Sequence, residues 1–140
     1  MITIPDEGKI EWLKRGLYGN AGSENLTLKL FKNNITPADG DSSATYTVAD
    51  FTGYSDKTLT SSQSGSTWAV PTASGGKGTS TYGTTQTWTA TSDQTIYGWY
   101  ALFASSGKVA GAQAFGAGKP LTGANSDQLS IIPRWQLDDF

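Results

Sequence analysis

A calcium ion, a scissile bond, a phosphate and a sugar each demand particular side chains at particular spacings, and four stretches of this sequence approach one of those patterns. Asp39-Gly40-Asp41 offers two carboxylates, with Asp50 further along. A calcium loop needs several oxygen ligands at defined spacing, and the EF-hand pattern is absent. Asp-rich turns also form for backbone reasons alone, so the stretch reads as a turn and we expect no metal there. Glycoside hydrolysis needs paired carboxyl groups facing one bond. The only glutamates, Glu7, Glu11 and Glu24, all lie near the start of the chain. Glu7 and Glu11 are four residues apart, the spacing of solvated charges sharing a helix face. The run Gly75 to Ser80 (GGKGTS) resembles a phosphate-cradling loop only faintly. A Walker loop runs from Gly-Lys-Ser/Thr into a helix, whereas Lys77 is followed by Gly78 and then by β-type sequence. It reads as a flexible turn.

The fourth pattern is aromatic. There are five Trp and six Tyr, and Trp68, Tyr82 and Trp88 fall in a polar, Thr-rich stretch. Sugar rings stack on exposed aromatic faces, so these three are the candidates for glycan binding. The competing reading is that they fill a core, as aromatics do in most β domains, and Tyr97, Trp99 and Phe103 are expected there.

What is missing narrows the field further. The chain has neither histidine nor cysteine. Histidine is the commonest general base and metal ligand near neutral pH. Without either residue the usual catalytic triads, zinc sites and disulfides are excluded. We therefore expect no catalytic residues, no cofactor and no enzymatic activity. Ten Lys and Arg against twelve Asp and Glu give a net charge of −2, and only Lys14 and Arg15 are adjacent cations. A nucleic-acid binder needs a basic face that releases counterions, so nucleic acid is not an expected partner. No stretch approaches the roughly 20 apolar residues of a membrane span, and the N-terminus lacks the pattern of a signal peptide. A membrane is therefore not an expected partner.

The elements that must position these residues are mostly strands. One helix is predicted over Asp6–Leu17, with acidic residues in its first turn and Lys14 and Arg15 in its last. Pro5 suits its start, and Gly16 and Gly19 are places to stop. Ile10, Leu13 and Leu17 recur at helical spacing with Trp12 beside them, so this short helix must pack on the domain or on a partner. From Leu26 onward the period is two: Leu26, Leu28 and Leu30 alternate with polar residues. We expect brief pairing over Thr45 to Val48, a strand over Phe51 to Leu59 interrupted at Gly53, and a polar loop from Ser61 to Ser66. A short strand at Trp68 to Val70 and another over Thr81 to Thr91 follow. Ile96 to Phe103 carries five large residues in a short run and reads as a central strand buried on both faces. Lys108 to Phe115 pairs next and breaks at Gly116 to Pro120. Leu129 to Leu137 closes the fold, with Pro133 marking an edge or bulge and Trp135 beside it. Asp138 to Phe140 reads as a loose tail.

About seven or eight short strands separated by turn signals predict an all-β fold. We expect one domain over residues 1–140, an antiparallel β-sandwich or jelly-roll-like barrel with one short N-terminal amphipathic helix.

Several segments, taken in order, resemble a family of small structural proteins of tailed bacteriophages: IPDEGKIEWLKRGL, ENLTLKLFKNNITPADGDSSATYTVADFTGYSDKTLT, TWTATSDQTIYGWYALF and QLSIIPRWQL. The likeness spans nearly the whole chain but consists of strand and turn patterns with no catalytic signature. It implies a component of the virion, first a capsid decoration (cement) protein bound to the major capsid protein lattice, next a tail- or fibre-associated protein. It also implies neighbouring virion proteins or further copies of the chain as partners. The contacts expected under that reading are Ile10, Trp12, Leu13 and Leu17 on the helix and Pro133 and Trp135 near the last strand. A glycan-binding module using Trp68, Tyr82 and Trp88 is the alternative.

Overall fold

The computed structural model describes residues 1–17, 23–61 and 67–137. Gly19, most of the polar loop predicted up to Ser66, and the tail from Asp138 lie outside the described residues. The chain begins with the predicted helix, α1 (Asp6–Gly16). Its acidic first turn and basic last turn complement the helix dipole. Pro5 sits at the N-cap, where the missing side-chain cap is replaced by the loop ahead: the Asp6 N–H donates to the Asp39 carbonyl at 2.9 Å.

Among the described residues the strands form three antiparallel sheets. Four of them, β1 (Leu26–Phe31), β2 (Lys57–Leu59), β6 (Gln94–Phe103) and β7 (Val109–Leu121), form a sheet in the order β2-β1-β6-β7. A second sheet orders β3 (Thr72–Ser74), β4 (Lys77–Thr81) and β9 (Arg134–Leu137) as β3-β4-β9. A third pairs β5 (Gln86–Thr89) with β8 (Gln128–Ile131). Among the described residues the result is β-sandwich-like with a single short α-helix, the predicted class.

The central strand β6 is buried on both faces, as its run of large residues implied. Trp99, Ala101 and Phe103 enter the larger core with Leu26, Leu28 and Leu30 of β1. Tyr100 turns the other way into a second cluster, stacked on Tyr46 at 4.6 Å and completed by Phe31 and Val109. Burial raises the Tyr100 hydroxyl to about 12. Tyr46 is raised further by burial and by its hydrogen bond to Asp41. Tyr97 is only half buried because the register with β7 slips there. Gly98 faces Ala114 and Ile96 faces Lys119, so two steps on β6 oppose five on β7. That wide bulge absorbs Gly116 and Gly118, and β7 therefore continues to Leu121 where a break at Gly116 to Pro120 was expected.

Several further boundaries differ from the sequence pattern. Ser43–Thr45 forms a 3-10 turn, and only Val48 bridges to Phe31. Of Phe51 to Leu59, only Lys57–Leu59 is strand, because Gly53 at φ +97 turns the chain. Thr81 to Thr91 splits between β4 and β5, which belong to different sheets. The closing segment likewise splits at Pro133 into β8 and β9. Proline has no N–H to donate, so a ladder cannot run through it, and the chain uses that gap to change sheets. The GGKGTS run is a hairpin: Gly75 and Gly76, at φ +60 and +79, make the two-residue turn between β3 and β4.

Candidate functional site

The carboxylates singled out by the sequence are dispersed into structural pairings. Asp39 and Asp6 both hold the Lys9 ammonium, at 3.2 and 3.1 Å, which raises the lysine's pKa. Asp41 accepts from the Ala38 N–H at 2.8 Å and the Tyr46 hydroxyl at 2.9 Å, closing a local turn. Asp50 accepts from Lys32 at 2.6 Å and also from Gln94, which together hold its carboxyl below the ordinary value. Among the described residues, no three His, Cys, Asp or Glu side chains converge as a metal site would need.

Glu7 and Glu11, expected as solvated charges, are mostly covered, with 20% and 13% of their side chains exposed. Glu7 accepts from the Val109 N–H at 2.8 Å and pairs with Lys108 at 3.2 Å, fastening α1 to the start of β7. Glu11 pairs with Lys14 on the same helix at 3.0 Å.

Of the four helix residues expected to contact a partner, Trp12 is turned inward onto the body and the other three face outward. The inner face of α1 is Gly8, Trp12 and Arg15, at spacings of four and three. Gly8 is buried against β7 so closely that a β-carbon there would lie 2.2 Å from the Val109 carbonyl oxygen. The Trp12 indole N–H donates to the Ala110 carbonyl at 3.2 Å, and its ring meets Phe103 edge-on at 5.1 Å. Arg15 lies over the other side of that contact, its guanidinium 4.8 Å from the Phe103 ring centre and ion-paired with Glu24. Ile10, Leu13 and Leu17 point away and are 52%, 49% and 83% exposed.

The remaining candidates sort by burial. Pro133 is fully buried and Trp135 is 6% exposed, so neither offers a docking edge. Tyr82, at 7%, and Trp88, at 1%, are core residues whose faces are packed and closed to a sugar. The Trp88 N–H is spent on the Ser55 carbonyl at 2.7 Å, and the Tyr82 hydroxyl accepts from the Thr60 N–H at 3.1 Å. A polar, Thr-rich neighbourhood in sequence marked the strands' outward residues, and the aromatics between them face inward.

Trp68 alone of the three stays half exposed, and it joins residues that the sequence had sorted elsewhere. Its ring meets Tyr82 at 4.9 Å and Trp135 at 5.4 Å, both edge-on. Trp135 donates its N–H to the Ala110 carbonyl at 3.3 Å, the same acceptor that Trp12 uses. Two indoles, one on α1 and one on β9, thus converge on one backbone oxygen. Between them and Trp68 opens a pocket of about 530 Å³. Phe103 and Leu26 floor it, while Arg15, Glu24, Ser61 and Ser80 bring polar groups to its walls. No motif spells this pocket, because its walls come from α1, the ends of β1 and β6, and the separate β3-β4-β9 sheet. The only signal in sequence was the surplus of tryptophan.

Comparison of the chain with protein-family models and with curated proteins finds no match.

Proposed function

We propose that this chain is a non-enzymatic structural protein of a tailed-phage virion, docking on the capsid lattice through the outward face of α1. The observation that carries the reading is the apolar stripe of Ile10, Leu13 and Leu17, held outward on a helix whose other face is fastened to the body. Large apolar side chains grouped in the open mark interaction surfaces on soluble domains. The stripe is short, far below the roughly 1,600 Å² that a standard protein–protein interface buries. A contact so small holds weakly alone and strongly when many copies sit on one repeating surface. The resemblance of its strand and turn segments to small structural proteins of tailed phages implies the lattice of the major capsid protein as that surface.

Co-sedimentation of the purified chain with empty capsids of its own phage, with a count of copies per particle, tests the reading. Hundreds of copies per particle are expected. A handful at one vertex, or none, overturns the lattice docking and moves the chain to the tail or fibre. Leu13→Asp should cut occupancy at least about tenfold, a loss near 1.4 kcal/mol of docking energy. Because Leu13 is half exposed, that variant should keep its fold; capsid occupancy unchanged in a folded Leu13→Asp overturns the role of the helix face.

A further inference from the structure

We infer that the outward face of α1 receives an acid-flanked helix of the capsid protein, which seats one large apolar side chain in a hollow of α1 and sets a carboxylate against Lys14. The inference rests on the lattice docking proposed above and names the partner's element and its charge. The hollow has a volume of about 320 Å³ and is lined by Ile10, Leu13, Lys14 and Leu17. Those positions are i, i+3, i+4 and i+7, the four residues that make the hole for a knob when two helices pack side by side. Leu17 completes the hole because its dihedrals are still helical and its N–H donates to the Leu13 carbonyl at 2.8 Å.

The period of the hollow selects the partner's secondary structure. Ile10 and Leu17 are seven residues apart, roughly 10.5 Å along a helix axis. A partner helix carries its own stripe at the same three- and four-residue steps, so the two stripes stay in register. A strand repeats its same-face side chains every two residues, roughly 6.7 Å, and falls out of step with the hollow.

The flanks select its charge. Written as one heptad, Ile10 and Leu17 are a, Leu13 is d, Lys14 is e and Lys9 is g. The e and g side chains border the seam and meet their counterparts on the other helix. A second copy of α1 is disfavoured there, because a parallel pair sets Lys9 against Lys14 and an antiparallel pair sets each lysine against itself. A helix with Asp or Glu at its flanks meets the same lysines with attraction. Lys14 is the better placed of the two: half exposed, it is held by Glu11 alone at 3.0 Å among the described residues, whereas Lys9 is shared by Asp6 and Asp39. An ammonium has three protons, so Lys14 can keep Glu11 and still donate across the seam.

A carbodiimide, which joins an amine to a carboxylate in contact with it, tests this on empty capsids loaded with the intact chain. Mass spectrometry should find Lys14 joined to an Asp or Glu in a helical segment of the capsid protein, with a large apolar residue three or four positions away. Lys14→Met should abolish that product and weaken binding about threefold, the worth of an exposed ion pair. Leu17→Ala lies at an 83% exposed position, so it should keep the fold and weaken binding about fivefold by opening one wall of the hollow. Lys14 joined only to Glu11, to a strand or loop of the capsid protein, or to a second copy of this chain overturns the inference, while hundreds of bound copies leave the docking itself standing. Affinity unchanged in both variants overturns it in the same way. Capsids that bind no copies of the unaltered chain remove the docking and this inference together.

Discussion

The two faces of α1 have the same length of helix and opposite fates. The outer face carries the residues that hydropathy would bury, Ile10, Leu13 and Leu17, and leaves them in the open. The inner face carries a glycine, a tryptophan and an arginine, and it is the one that docks. The difference teaches that a helix is held by what fits, and not only by what is greasy. Gly8 lets two backbones touch; Trp12 reaches both Phe103 and a carbonyl; Arg15 lays its guanidinium over an aromatic ring while its charge is met by Glu24. With the inner face so fully satisfied, the outer stripe is free for another molecule.

The contrast breaks most sharply at Gly8. On a free helix, replacing glycine by a larger residue is neutral or favourable. Here a side chain must displace the Val109 backbone, so Gly8→Val should cost about 3 kcal/mol in urea unfolding. A loss below about 1 kcal/mol would show that α1 can lift from β7 at little expense, and the two faces would no longer differ in kind. Trp12→Ala should follow at about 2 kcal/mol, less than a fully buried tryptophan because the ring is half exposed. The matched change on the outer face, Leu13→Ala, should stay within about 0.5 kcal/mol. Equal losses from the two would mean that the outer stripe is already covered within the folded chain.

The same contrast explains what could be read from the sequence. The helix bounds were legible because charge distribution and Pro5 mark the ends locally. The period-two strand at Leu26 and the doubly buried strand before Phe103 were legible because alternation and bulk are also local. Which helix face is inward was not, since a spacing of Ile10, Leu13 and Leu17 defines a stripe without naming its partner. Gly8, Trp12 and Arg15 form a stripe at similar spacing that averaged hydropathy passes over. Pro133 was legible as an interruption, but only tertiary pairing reveals that β8 and β9 go to different sheets. The pocket was illegible for the same reason: Trp12, Trp68 and Trp135 are far apart in the chain and meet only through the Ala110 carbonyl and the ring contacts.

The finest test of the inner face is electrostatic. Glu7 accepts from the Val109 N–H with one oxygen and holds the Lys108 ammonium with the other, so a single carboxylate fastens the helix to the first residue of β7. Glu7→Gln keeps an amide oxygen to accept the backbone hydrogen bond and removes the charge. The hydrogen bond weakens from charge-assisted to neutral, and the lysine loses its partner across half-exposed surface. We expect a loss of about 1 kcal/mol, most of it absent in concentrated salt, where the exposed half of the pairing is screened. Chemical denaturation by urea at low and high sodium chloride separates the two contributions. A loss that persists undiminished at high salt assigns the attachment to the short hydrogen bond at Val109 alone. No loss at either salt would mean that Gly8 and Trp12 already hold the inner face without the carboxylate, and that fit outweighs charge along the whole of α1.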